Sequence, residues 1–105
     1  MDNSTFILNQ IKSIVKKNAP SAKVYLYGSR VRGTSHEDSD WDILILLTRE
    51  KITNDVEEKI TDPLYDLEFE VGEVISPMIY TEKEWSAKYS VTPFYHNVMK
   101  ERRLL

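Results

Sequence analysis

Cysteine is absent from the 105 residues, which excludes disulfides and any thiolate metal site and fits a reducing compartment such as the cytoplasm. A long apolar run is missing too. No stretch approaches the roughly 18 residues that a membrane span needs, and the opening "MDNSTFILNQIKSIVKK" lacks the basic-then-apolar order of a signal peptide. Positive charge is not in excess either. The formal net charge of -3 argues against a general nucleic-acid coat, which would want a basic surface. Repeats, low-complexity tracts and linkers are also lacking. What is present is a globular balance of 41% hydrophobic and 30% charged residues in a length that suits one domain, 1–105. The expectation is a soluble, cytoplasmic protein with no membrane partner.

Local patterns assign the elements. Ile7, Ile11, Ile14 and Val15 recur at helical spacing, with Ser4 or Thr5 available as a cap, and Pro20 should stop this helix near Asn18. "AKVYLYG" alternates like a strand. "WDILILL" is apolar from Ile43 to Leu47, as expected of a strand covered on both faces and central in its sheet. Val56, Ile60, Leu64, Leu67 and Val71 form a second helical stripe, which Pro63 should kink or restart with Asp62 as cap. "EVISPMIYT" reads as a third strand, and Pro77 points to an edge or a bulge. "TEKEWSAKY" opens with a capping-box pattern, and Pro93 starts a last helix through about Arg102. Together these predict an α+β domain, a small mixed sheet with helices packed against it.

The chemistry concentrates in residues 25–46, "YLYGSRVRGTSHEDSDWDILIL". Alternate side chains of a strand share a face about 6.6 to 6.8 Å apart, so Asp40 and Asp42 project the same way while Trp41 faces the core. Two carboxylates on one face invite a cation between them, and magnesium prefers such oxygen ligands. Two such ions about 3.5 to 4 Å apart can clamp the attacking and leaving oxygens of a phosphoryl transfer. Gly28 and Ser29 follow the first strand, where glycine allows close backbone approach and freed N–H groups can meet an anion. Arg30 and Arg32 add positive charge. A metal-bound nucleoside triphosphate would satisfy both sides. Each piece also has an ordinary reading: Gly-Ser as a turn, the aspartates as solvated, Ser39 or Asp40 as a loop cap, His36 as a surface residue, His96 as packing or surface, Trp85 as a core anchor.

"GSRVRGTSHEDSDWDILIL" resembles the signature of the minimal nucleotidyltransferases of the DNA polymerase β superfamily, through Gly28, Ser29, Arg30, Arg32, Gly33, Ser39, Asp40 and Asp42. Val31 stands where alanine is usual. The resemblance implies a polymerase β palm-like fold and transfer of a nucleoside monophosphate, AMP from ATP, to an acceptor hydroxyl. It implies metal, two magnesium ions, held by Asp40, Asp42 and a third carboxylate on a later strand. Glu73 is the candidate for that third ligand, with Glu68 and Glu70 as fallbacks. It implies nucleotide contacts from Gly28, Ser29, Arg30, Arg32 and Ser39. Larger relatives carry a second domain for the acceptor, so another protein or a second copy should complete the site. Stand-alone members often resemble the antitoxin of a pair with a HEPN-domain toxin. The alternative is a module that neutralises its partner by contact, with a weak or inactive site. Action on nucleic-acid ends is disfavoured by the acidic balance.

Overall fold

The computed structural model describes residues 3–36 and 39–105. Glu37 and Asp38 of the polar loop lie outside the described residues. The chain runs α1 (Ser4–Asn18), β1 (Lys23–Tyr27), a short α2 (Ser29–Arg32), β2 (Trp41–Leu47), α3 (Asn54–Val71), β3 (Ile75–Thr81), α4 (Glu82–Lys88), α5 (Pro93–Glu101) and β4 (Arg103–Leu104). The four strands form one mixed sheet in the order β3-β2-β1-β4. β2 is antiparallel to β1 and parallel to β3, and β4 is antiparallel to β1. This is the small mixed sheet with packed helices that the patterns predicted.

Strand alternation sorts the core into two layers. Val24, Leu26, Trp41, Ile43, Ile45 and Leu47 face α1 and α3, meeting Ile7, Ile11, Val15, Ile60, Leu64 and Leu67. Tyr25, Tyr27, Leu44 and Leu46 face the other way, onto Trp85 of α4 and Val98 of α5. β2 is therefore covered on both sides and central, and every residue in it is buried except the half-buried Asp42. Each fully buried aliphatic side chain contributes roughly 1.5–3 kcal/mol. Trp85 anchors the second layer, stacked on Tyr80 at 5.6 Å and tilted against Tyr95 at 4.9 Å.

Pro77 lies on β3, an edge strand that among the described residues pairs with β2 alone, so its missing N–H costs no ladder bond to a second neighbour. The Thr81–Glu84 capping box is formed in both directions. Two local expectations are corrected. Asn3, rather than Ser4 or Thr5, precedes α1. Pro63 does not restart α3, which is one helix capped by Thr53. Its stripe Ile60, Leu64 and Leu67 is buried on both sides of the proline, and that packing outweighs one lost backbone bond. β4 carries no pattern of its own; it forms because Leu104 and Arg103 pair with Tyr25 and Leu26.

Candidate active site

The parity of β2 decides which side the acids take. Trp41 and Ile43 enter the α1/α3 layer, so Asp42 shares the opposite face with Leu44 and Leu46. Asp40, one residue before the strand, lies beside it and accepts a bond from the Ser76 hydroxyl at 3.1 Å. Ser76 is the β3 residue in register with Asp42, and Tyr27 is its partner on β1. Burial raises the Asp42 carboxyl above the usual carboxylate range, and the charge of Asp40 raises it further. Arg32 pulls it back down, Glu101 raises it, and Arg30 lowers it. Next door, burial and the charge of Asp42 push the Tyr27 phenol up to about 12.

Gly28 links this pair to the turn. Its φ of +83° and ψ of -157° favour glycine. A Cβ there would stand 2.3 Å from Asp42 Oδ2, so the turn backbone lies directly against the carboxylate. The Gly28 carbonyl accepts from the N–H groups of Val31 and Arg32, which starts α2, and Gly33 at φ +77° ends it. Among the described residues the Ser29 hydroxyl has no hydrogen-bond partner, so it is free to meet a ligand.

The two arginines part company. Arg32 stays on the aspartate side, where its Nη1 donates to both Glu101 oxygens at 3.0 and 2.9 Å. Arg30 goes to the other face. It lies 3.8 Å over the Trp41 ring and donates to the Ser39 carbonyl at 2.7 Å and to Glu73 Oε1 at 3.2 Å. Glu73 Oε1 also accepts from Trp41 Nε1 at 3.0 Å. Glu73 therefore sits with Trp41 and is not brought to the aspartate pair. Among the described residues no group of three His, Cys, Asp or Glu side chains is arranged to hold a metal. Arg30 and Glu73 instead tie down the main chain just before Asp40. Ser39 Oγ accepts from the His36 N–H, a loop-cap contact. Of the nucleotide-contact candidates, then, Gly28 lies against Asp42 and Arg32 is near enough to lower its carboxyl, Ser29 begins α2 directly after Gly28, and Arg30 and Ser39 shape the loop behind them. Sequence reading overlooked Glu101, whose carboxylate also accepts from the Gly28 N–H at 3.3 Å. Nothing local to the last helix marks it.

A family model described as "Polymerase beta, Nucleotidyltransferase" matches residues 9–105. The chain belongs to the polymerase β nucleotidyltransferase family. Among solved structures, this nucleotidyltransferase is similar to a toxin–antitoxin with AMP-PNP, at 21% identity and TM-score 0.65, covering 91% of this chain and 69% of that one. It is also similar to a mutant of the toxin–antitoxin MntA-HpeT, at 21% identity and TM-score 0.64, covering 93% and 70%. A third similar structure, assigned as a minimal nucleotidyltransferase, is 24% identical with TM-score 0.61, covering 100% of this chain and 97% of that one. These likenesses concern the fold. No curated protein matches the chain in sequence. None of the described helices of this nucleotidyltransferase is long and apolar enough to cross a membrane.

Proposed function

We propose that this domain transfers AMP from ATP to a hydroxyl of a partner protein, a toxin of the HEPN type, acting as the antitoxin of the pair. The observation that carries the reading is Asp42 of β2 pressed against the Gly28 turn, with a second carboxylate, Asp40, beside it. The fold neighbours that are toxin–antitoxin complexes, one of them with AMP-PNP, support the choice of nucleotide and partner.

The residues fit a divalent cation. Asp42 is half-buried next to a second carboxylate, and both burial and that neighbour disfavour its charge. A hard cation relieves this cost, and the Ser76 hydroxyl adds an oxygen beside Asp40. Asp40 and Asp42 would hold magnesium, which would neutralise the triphosphate and the departing pyrophosphate. The chain's own part is positioning. The Ser29 hydroxyl and Arg32 receive the outer phosphates, and Gly28 keeps the backbone close enough for them to do so. The acceptor oxygen bonds to the α-phosphorus, the bond from that phosphorus to the β-phosphate bridge breaks, and pyrophosphate leaves with the electron pair. The acceptor's proton passes to water. Arg30, Glu73 and Trp41 fix the strand entrance, so the aspartates need little reorganisation. The third-ligand role expected of Glu73 would require its carboxylate to leave Arg30 and Trp41.

A second reading has one observation in its favour. Ser76, and not an acid, faces Asp42 across β3, which suits a module that binds nucleotide and partner without transfer. Incubation with magnesium, α-labelled ATP and a candidate HEPN-type partner separates the two. Label on the partner, lost in Asp40→Asn and Asp42→Asn, is the expected result. Partner binding that survives both changes while no label ever moves would establish the contact module instead.

A further inference from the structure

The turn proposed to receive phosphate already holds an anion of the chain itself. Glu101 Oε1 accepts from the Gly28 N–H at 3.3 Å and from Arg32 Nη1 at 3.0 Å, and Oε2 accepts from the same nitrogen at 2.9 Å. These donors, one main-chain N–H and one guanidinium, are the kind a phosphate oxygen uses. The placement is built by long-range pairing. β4 meets β1 antiparallel with Leu26 opposite Arg103, which brings the end of α5, where Glu101 lies, next to the Gly28 turn that follows β1. The Glu101 side chain is only 17% exposed, while Arg32 is 54% exposed. A carboxylate so covered must keep its donors or lose solvation without compensation. Its charge also reaches Asp42.

We propose that Glu101 is a selectivity residue that holds the phosphate donors against anions arriving without a cation. This rests on the nucleotide site proposed above and goes beyond it. With Asp40 and Asp42 it forms a third negative charge around the turn. A free triphosphate meets that repulsion and must also displace Glu101 from Gly28 and Arg32. A cation-bound triphosphate brings less negative charge, and its cation is attracted by the same carboxylates. The domain therefore takes the magnesium complex and refuses the free nucleotide.

The test is a pair of AMP-PNP titrations by calorimetry, one with magnesium and one with EDTA, on wild type and Glu101→Gln. The amide oxygen can still accept from Gly28 and Arg32, so the fold is retained; Glu101→Ala gives the same readout should Glu101→Gln fold poorly, and Glu101→Asp keeps the charge. Removing the charge should tighten binding in EDTA by about fivefold to tenfold, the effect of one partly screened charge at this range. Binding with magnesium should change by less than about twofold, and Glu101→Asp should stay close to wild type. Wild type that prefers the magnesium complex while Glu101→Gln keeps the same ratio overturns this inference and leaves the proposed function standing. So does a Glu101→Gln that weakens only the magnesium complex, since Glu101 would then be a metal ligand. Failure of every protein to bind AMP-PNP in either buffer overturns both.

Discussion

Gly28→Ala is the most informative single change, because one added methyl acts on two quantities that can be measured apart. The first is backbone strain. At φ +83° and ψ -157° an alanine sits in a region that glycine alone occupies readily, at a cost of about 1–3 kcal/mol. For a domain near 100 residues, each kcal/mol lowers the melting temperature by roughly 4–8 °C. The second is displacement. The new Cβ would be 2.3 Å from Asp42 Oδ2, whereas ordinary contact begins at 3.4 Å, so the carboxylate or the turn must retreat by about 1 Å. A shift of that size in a group that positions the reacting atoms costs on the order of a hundredfold in rate. Gly72→Ala is the matching control. Gly72 also has positive φ, +71°, but a Cβ there meets nothing within 4 Å. It should lose about 1 kcal/mol of stability and keep its transfer rate within about threefold. The assays are thermal melting by circular dichroism and AMP transfer to the partner per folded molecule. If Gly28→Ala transferred within about threefold of wild type, the contact between turn and carboxylate would not matter to the chemistry and the reasoning would fail.

The remaining predictions test the groups around that contact. The folded state raises the Asp42 carboxyl, so the stability linked to it is present below the usual carboxylate range and is lost as pH rises through the raised value. Asp42→Asn should therefore abolish transfer yet melt no lower than wild type at pH 7 without metal, with the difference closing as the pH is brought down; a lower melting temperature at pH 7 refutes this. The Tyr27 phenol, raised from 10.0 to about 12, favours the folded state below its ordinary value and withdraws that support as pH climbs toward the raised one. Alkaline melts should show this loss in wild type and less of it in Tyr27→Phe. Arg30→Lys cannot both stack on Trp41 and fork to Ser39 and Glu73, and should cost about 1–3 kcal/mol in urea unfolding; an unchanged midpoint would show that the clamp is idle. Glu73→Gln keeps the oxygen that Arg30 and Trp41 bind, so transfer should fall by less than about tenfold, whereas a loss on the order of a hundredfold would put its carboxylate at the metal.

Local pattern alone determined a good deal of this protein. The alternation of "KVYLY", the apolar run from Ile43 to Leu47, the Thr81–Glu84 box and the proline at an edge strand each follow from short-range sterics and periodicity, and each is found in place. Only the tertiary structure decided the rest. Asp40, one residue before β2, comes beside Asp42 through Ser76, which is in register with Asp42 and donates to Asp40. Pro63 stays inside one helix because the buried stripe on either side of it outweighs its missing bond. Glu73 lies outside any strand, so no periodicity fixed its direction, and Trp41 with Arg30 drew it to the far face. Glu101 reaches Gly28 across 73 positions of sequence through a two-residue strand that has no signature of its own. The physical reason is the same in each case. Local preferences choose the element and its faces, but which face meets which neighbour, and in what register, is settled by the packing and pairing of segments far apart in the chain.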